Sequence, residues 1–272
     1  MKNIEEITAK LEQGVKDVFT DGKYAEYLSV MGKFYRYSAN NCMLISMQCP
    51  NATLIAGFNQ WKNDFKRNVK KGEKAIKILA PMPHKFVKEV VNDDGETEER
   101  EVNFMTFRAV PVFDLSQTDG EDLPSLVHKL YGSVQDFESV KRKLECIAPV
   151  PVSFEDITGS ANGYFSPSEK RIAVKAGMSE EQTIKTLVHE ISHSILHGED
   201  GEEKDKDRRT MEVQAESIAY VVCNWIGVDT SDYSFGYVAG WSTGRELKEL
   251  SESLEVIRKT SKKLIEGLQS AA

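Results

Sequence analysis

The segment from Ser179 to His193 constrains this chain most, because it specifies a helix and also places two imidazoles on one side of it. Ser179-Glu180-Glu181-Gln182 is a capping box, so a helix is predicted to begin there. One apolar stripe follows at helical spacing: Ile184, Leu187, Val188, Ile191 and Ile195. His189 and His193 lie one turn apart on a different face, close enough to bind one ion.

A metal ion bound by two imidazoles needs a further ligand from a neighbouring element. Downstream, "RRTMEVQAESIAYVVCNWIGV" has an apolar helical stripe with Glu212 and Glu216 one turn apart beside it. If one carboxylate binds the metal and the other accepts an imidazole N–H, both positions are explained. Two alternatives stay open. In the first, the two histidines are solvent-exposed residues on an ordinary helix, since a chain of this composition contains His-Glu-x-x-His by chance about once in a hundred. In the second, the glutamates are an exposed acidic pair.

His189-Glu190-Ile191-Ser192-His193 followed by Glu212-Val213-Gln214-Ala215-Glu216 resembles the zincin metallopeptidase pattern. More narrowly, it resembles the ImmA/IrrE group and the metallopeptidase-like domain of ArdC-type antirestriction proteins. The resemblance implies Zn²⁺ as the cofactor, with His189, His193 and Glu212 as ligands. It also implies Glu190 as the general base, and Glu216 as the acidic residue beside the ligands or as the alternative ligand.

Peptide hydrolysis also needs groups that stabilise an oxyanion and bind the substrate. Tyr164, His197, Tyr233 and Tyr237 are candidates for the first role by residue type alone, with aromatic packing and a solvated histidine as the alternatives. The segment "GYFSPSEKRIAV" is predicted to form a hairpin that turns at residues 166–170. Its edge strand is a hypothetical site for an extended peptide.

The N-terminal part has a different character. Residues 62–77 hold seven basic and two acidic residues, close to Phe58, Trp61, Tyr35 and Tyr37. Basic charge combined with aromatic rings is typical of surfaces that bind single-stranded nucleic acid. A solvated basic face beside a core tryptophan is the alternative.

The stretch "YSANNCMLISMQCPNATLIAGFNQWKNDFKRNVKKGEKAIKILAPM" and the later "VFDLSQT" resemble the single-stranded-DNA-binding domain of ArdC-like proteins. The predicted DNA-binding residues are Tyr35, Asn40, Asn41, Phe58, Trp61, Lys62, Lys66, Arg67, Lys70, Lys71 and Lys74. Two alternating runs around residues 92–100 predict a long hairpin with an acidic tip, which has to point away from DNA.

These patterns predict an α+β protein: a helical N-terminal domain with a long β-hairpin, and a zincin-like domain with a small sheet and the HExxH helix. The predicted boundaries are 1–116, a linker at 117–123, 124–243, and a C-terminal amphipathic helix at 244–272. We expect each domain to bury its own core. Residues 1–116 carry 17 basic and 16 acidic residues, whereas residues 117–272 carry 18 and 27.

The four cysteines form no C-x-x-C pair, and no apolar run is long enough for a membrane span, so a cytoplasmic protein is expected. The C-terminal helix is expected to dock on its own chain, with self-association as the alternative. The predicted function is single-stranded-DNA binding combined with a zinc metallo-endopeptidase-like site, associated with antirestriction or conjugation. Whether the protein is an enzyme stays open, and its protein substrate is unknown. The alternative is a DNA-coating protein with a structural zinc.

Overall fold

The structure, a computed structural model, describes residues 2–20, 23–91, 97–123 and 137–271. It has the predicted α+β architecture, with helices and small sheets in both halves of the chain. The N-terminal half contains α1 (Lys2–Thr20), α2 (Tyr24–Lys33), α3 (Ala39–Gln48), β1 (Ile55–Ala56), α4 (Phe58–Asn63), β2 (Arg67–Val69), β3 (Ile76–Val91), β4 (Thr97–Asp114) and β5 (Thr118–Gly120). The C-terminal half contains α5 (Phe137–Ile147), β6 (Val152–Glu155), β7 (Gly163–Ser166), β8 (Arg171–Lys175), α6 (Glu180–Leu196), α7 (Arg208–Ile226), α8 (Gly236–Ser242) and α9 (Leu247–Ser270).

The predicted long hairpin is confirmed, since β3 and β4 pair antiparallel from Ile76 opposite Val112 to Val91 opposite Thr97. The strands extend further toward the tip than predicted, and residues 92–96 lie outside the described residues. At the hairpin base, the buried carboxylate of Asp114 accepts hydrogen bonds from the backbone N–H groups of Thr53 (2.7 Å), Leu54 (3.1 Å) and Ser116 (2.9 Å). These bonds fasten the hairpin to the segment that follows α3.

The second sheet lies in the C-terminal half and has the strand order β6-β8-β7. Strands β7 and β8 form the predicted antiparallel hairpin, whereas β6 runs parallel to β8 and was not predicted. Strand β7 therefore lies at an edge of this sheet. Helix α6 packs against both β7 and β8, which brings the edge strand next to the histidines.

The two halves share one core, so the expectation of separate cores is wrong for the described residues. Helix α2 packs on α7, and the Tyr24 hydroxyl lies 2.9 Å from the Ser217 hydroxyl in the buried contact between them. Helix α9 packs against α1, α3, α5 and α7, so it docks on its own chain as expected. Its apolar residues are buried there, which leaves that face unavailable for self-association: Leu250, Leu254, Ile257, Leu264 and Leu268.

The predicted linker at 117–123 is not a free connection, because its residues 118–120 form β5 and pair with β2. The sequence also predicts a helix from "LVHKLYG", residues 126–132, and these lie outside the described residues. Among the described helices, none has the length and apolar character needed to span a bilayer.

Candidate metal centre

Helix α6 presents the two histidines because its N-terminus and its apolar stripe fix its orientation. The Ser179 hydroxyl oxygen accepts the N–H of Gln182 at 3.2 Å, but the Gln182 side chain donates to Thr186 (3.3 Å) instead of returning to Ser179. Half of the predicted capping box is therefore present. Four stripe residues are buried: Ile184, Leu187, Val188 and Ile191. The Nε2 atoms of His189 and His193 lie 3.1 Å apart on another face.

Helix α7 begins at an Asp207 N-cap and packs against α6, so that its two glutamates face the imidazoles. Oε2 of Glu212 lies 3.6 Å from Nε2 of His189 and 3.7 Å from Nε2 of His193. Oε2 of Glu216 lies 3.0 Å from Nδ1 of His189, on the far side of that ring. Glu212 thus shares a space with both imidazoles, whereas Glu216 contacts one ring from outside.

The three facing atoms fit a divalent metal ion. His189, His193 and Glu212 form the group of potential ligands found among the described residues. A circle through the two Nε2 atoms and Oε2 has a radius of about 2 Å, the distance at which imidazole nitrogen and carboxylate oxygen bind zinc. An ion can therefore contact all three atoms without movement of the helices.

Protons compete with a metal at this site. Burial alone would lower the pKa of His189, but its hydrogen bonds with Glu212 and Glu216 raise that pKa to about 10. The same bonds from His189 and His193 lower the pKa of Glu212. Without a metal, the proton on His189 supplies positive charge that a bound cation would replace.

Glu190 also lies on α6, but it is not one of the three facing residues His189, His193 and Glu212. Burial raises the pKa of its carboxyl group, which also accepts a hydrogen bond from the backbone N–H of Phe165 in β7. Strand β7 reaches this position because residue 163 is glycine. A Cβ at Gly163 would lie 2.6 Å from Cγ2 of Thr186 and 2.9 Å from the Ala173 carbonyl oxygen. The edge strand and Glu190 are therefore in direct contact.

Two cavities open beside His189 and Glu190. One, of about 320 Å³, is also lined by Lys185, Asp232 and Tyr233. The other, of about 460 Å³, is also lined by Tyr164, His193 and Arg208. The larger cavity is lined by all three facing residues, His189, His193 and Glu212, whereas the smaller one reaches His189 and Glu216.

The four candidates for oxyanion stabilisation occupy different positions. Tyr164 and Tyr233 line the two cavities, and Tyr237 is 39% exposed with a pKa raised by burial and by the nearby charge of Glu216. His197 instead contacts His193, since their Nδ1 atoms lie 2.9 Å apart, and burial lowers the pKa of His197 to about 4. The Phe165 amide and the side chain of Gln214, which contacts His197 at 3.0 Å, were not predicted from the sequence.

Three residues predicted to bind DNA are buried, so those predictions are wrong as surface contacts. Trp61 has no exposed surface and donates its indole N–H to the Phe113 carbonyl at 2.9 Å. Tyr35 is 4% exposed and donates to Gln269 at 3.2 Å. Asn41 is 8% exposed, and its amide both donates to and accepts from the Leu79 backbone. Core packing and backbone pairing explain all three.

The other predicted DNA-binding residues differ in availability. The guanidinium of Arg67 donates to Thr118, Gly120 and Glu121, so it fastens β2 to β5. The remaining residues are exposed: Asn40, Phe58, Lys62, Lys66, Lys70, Lys71 and Lys74. They form the accessible part of the predicted basic surface.

Two family models match separate parts of the chain. Residues 2–113 match the N-terminal domain of the anti-restriction factor ArdC. Residues 148–223, which contain the facing histidines and glutamates, match the IrrE N-terminal-like domain of the peptidase M78 family. The chain is an ArdC-like protein. In this ArdC-like chain the second match covers β6 to α7.

Individual relatives agree with this assignment. The uncharacterised Bacillus anthracis protein pXO2-81 is 27% identical over 314 aligned positions, which cover 97% of this chain and 52% of the relative. The ArdC-like chain thus spans about half the length of that protein. Two crystal structures of the antirestriction protein ArdC from plasmid R388 share its fold. The metal-free form has a TM-score of 0.55 at 19% identity, covering 86% of this chain and 85% of that chain. The Mn(II)-bound form has a TM-score of 0.52 at 17% identity, covering 86% and 84%.

Proposed function

We propose that this ArdC-like protein is a single-stranded-DNA-binding zinc metallo-endopeptidase. The observation that carries the peptidase assignment is the group of three facing residues, His189, His193 and Glu212, with the buried Glu190 carboxylate beside it but outside the group. Two imidazoles and a carboxylate favour zinc among divalent ions. The Mn(II) in the related ArdC structure makes metal analysis of the purified protein the first measurement.

The protein residues around the site have distinct roles in the proposed hydrolysis. When bound, the ion supplies Lewis acidity that brings the pKa of water toward neutrality. Glu190 accepts the proton of the attacking water, and its raised pKa suits it to pass that proton to the leaving amine. Strand β7 pairs with an extended peptide along its free edge and so places the scissile carbonyl near Glu190.

The ligand set favours a catalytic ion over a structural one. Structural zinc sites are closed by four protein ligands, whereas catalytic sites keep a position open. Within the described part of the chain three potential ligand atoms converge, and a cavity of about 460 Å³ is lined by all three of their residues. This argues against the DNA-coating alternative with a structural zinc.

Substitution of Glu190 by glutamine tests the mechanism. Glu190→Gln should bind zinc stoichiometrically but hydrolyse a fluorescently labelled unfolded protein about 10²–10⁴-fold more slowly, because a general base contributes that factor. His189→Ala is the comparison variant that should lose zinc as well. Hydrolysis at the wild-type rate by Glu190→Gln would refute the assignment.

For DNA, the described part of the long hairpin adds a surface to the basic residues named above. Phe104 stacks on His84 with ring centroids 5.0 Å apart, and Phe86 meets Phe104 edge-on at 5.6 Å. Both phenylalanines are 45% exposed. Residues 76–87 and 103–113 contain no acidic residue, whereas Lys85 and Arg108 are exposed there. Exposed rings between basic side chains suit the bases and phosphates of a single strand.

Oligonucleotide binding tests this surface. Each stacked base contributes about 1–3 kcal/mol, so Phe86→Ala and Phe104→Ala should each weaken binding of a fluorescent single strand by about tenfold to a hundredfold. Phe154, an exposed ring in the other half, provides the control substitution Phe154→Ala. Equal affinities for all three variants would place the DNA elsewhere, and wild-type affinity independent of salt would contradict phosphate contacts.

The biological role proposed is protection of incoming DNA from restriction during transfer of a mobile element. In support of this proposal, the related protein from plasmid R388 is named an antirestriction protein. Transfer of unmodified plasmid into a restricting host, with the protein supplied, measures this role. If protection requires proteolysis, Glu190→Gln should abolish it. If coating of the DNA suffices, the phenylalanine variants should abolish it while Glu190→Gln retains it.

A further inference from the structure

A chain of hydrogen-bonding side chains extends from His193 away from the metal centre. Nδ1 of His193 lies 2.9 Å from Nδ1 of His197, and Nε2 of His197 lies 3.0 Å from Oε1 of Gln214. Nε2 of Gln214 then donates to Oε2 of Glu203 at 2.8 Å. Gln214 is fully buried, and Glu203 closes the chain from the loop between α6 and α7.

The polarity of this chain follows from its carboxylate end. A carboxylate only accepts hydrogen bonds, so Glu203 binds the NH₂ group of Gln214 and leaves the Gln214 oxygen facing His197. That oxygen also only accepts, so Nε2 of His197 carries a hydrogen. In the neutral ring, Nδ1 of His197 is then an acceptor, and the hydrogen between the two rings belongs to Nδ1 of His193.

The consequence reaches the metal centre. A hydrogen on Nδ1 of His193 leaves the lone pair on Nε2, the atom that faces His189 and Glu212. When a metal ion replaces the proton on Nε2 of His189, that ring reaches the same state, because Glu216 accepts from its Nδ1 at 3.0 Å. His189 is thus oriented by Glu216, which contacts it directly. His193 is oriented by Glu203, which acts through the hydrogen bonds of His197 and Gln214.

We infer that Glu203, Gln214 and His197 form a positioning relay that fixes His193 in the tautomer able to bind a metal through Nε2. The inference rests on the proposed metal site, but it concerns the protein's own hydrogen bonds. Partners of this kind around metal ligands typically contribute a factor of about 10–100 in metal affinity. His197 acts through His193 and is not assigned a contact with substrate.

The loop that supplies Glu203 is itself held in place. The backbone N–H of Glu203 donates to the Leu196 carbonyl at 3.0 Å, and Nζ of Lys206 lies 3.8 Å from the Glu203 carboxylate. A Cβ at Gly201 would lie 2.1 Å from the Leu196 carbonyl oxygen, so only glycine fits that close approach. These contacts hold the Glu203 carboxylate, the last group of the relay, in a defined position.

The test uses the full-length protein with two readouts, imidazole ¹⁵N NMR without metal and zinc affinity by chelator competition. In the wild type, His197 should show the Nε2–H tautomer. Gln214→Leu should lose that signature and bind zinc about 10–100-fold more weakly. The double substitution Glu203→Gln with Gln214→Glu reverses the hydrogen bond between positions 203 and 214, but it keeps an oxygen at position 214 that accepts the N–H of Nε2 of His197, so it should restore both readouts.

Two results would overturn the relay. One is an Nδ1–H tautomer of His197 in the wild type. The other is a folded double variant, judged by its unfolding temperature, that binds zinc as weakly as Gln214→Leu. Failure of the wild type to bind any metal would refute the proposed function instead, and the NMR result would still decide the hydrogen-bond polarity.

Discussion

The two glutamates of α7 should differ in what their removal costs, because they contact the imidazoles from different sides. Glu216 makes one charge-assisted hydrogen bond of 3.0 Å to Nδ1 of His189. Such a bond contributes about 1.5–3 kcal/mol, so Glu216→Ala should weaken zinc binding by about tenfold to a hundredfold. Glu212 is itself one of the three potential ligands, with His189 and His193. Glu212→Ala should therefore cause a loss at least tenfold larger than that of Glu216→Ala.

Competition against a chromogenic chelator at one fixed pH measures both affinities, and thermal unfolding without metal checks that each variant folds. Both side chains are partly exposed, so neither substitution should prevent folding. A larger loss for Glu216→Ala than for Glu212→Ala would refute the ligand assignment. Equal losses of zinc affinity in the two variants would refute it as well, because only Glu212 belongs to the group that faces the proposed metal position.

Three further predictions concern pH, packing and stability. Metal binding requires a neutral His189, and without metal the pKa of His189 is raised to about 10. Zinc affinity should therefore rise about tenfold per pH unit between pH 6 and 8. A zinc affinity that does not change with pH would contradict this prediction. Gly163→Ala should push β7 from α6 and cost about 1–3 kcal/mol in urea unfolding, whereas Gly236→Ala, whose Cβ would meet only the Ser234 hydroxyl oxygen at 3.9 Å, should not destabilise the protein. Asp114→Ala strands buried N–H donors and should cost about 3 kcal/mol, and a loss under about 0.5 kcal/mol would count against its role.

The features that the sequence predicted well depend on local spacing. The serine cap and the apolar stripe of α6 are fixed within a few turns of helix, so the helix and the shared face of His189 and His193 followed from periodicity. The two hairpins followed from alternation of apolar and polar residues. Glu212 and Glu216 were both expected near the histidines, but only the distances between helices α6 and α7 separate their roles.

Features that depend on tertiary packing were not predictable. Trp61 and Tyr35 resemble base-stacking residues in sequence, yet each fills the core and bonds to a partner far along the chain. Asn41 pairs with backbone that is 38 positions away. The parallel strand β6 and the relay behind His193 likewise join segments that no short pattern connects.

The single core described above affects how such a chain can change in evolution. Because α2 lies on α7 and α9 touches helices of both halves, an N-terminal half transplanted from a distant relative would present the wrong surface to the C-terminal half. Recombination between lineages should therefore succeed only when the two halves that form this contact are inherited together. We therefore expect substitutions in the contact surface of one half to be accompanied by compensating substitutions in the other half.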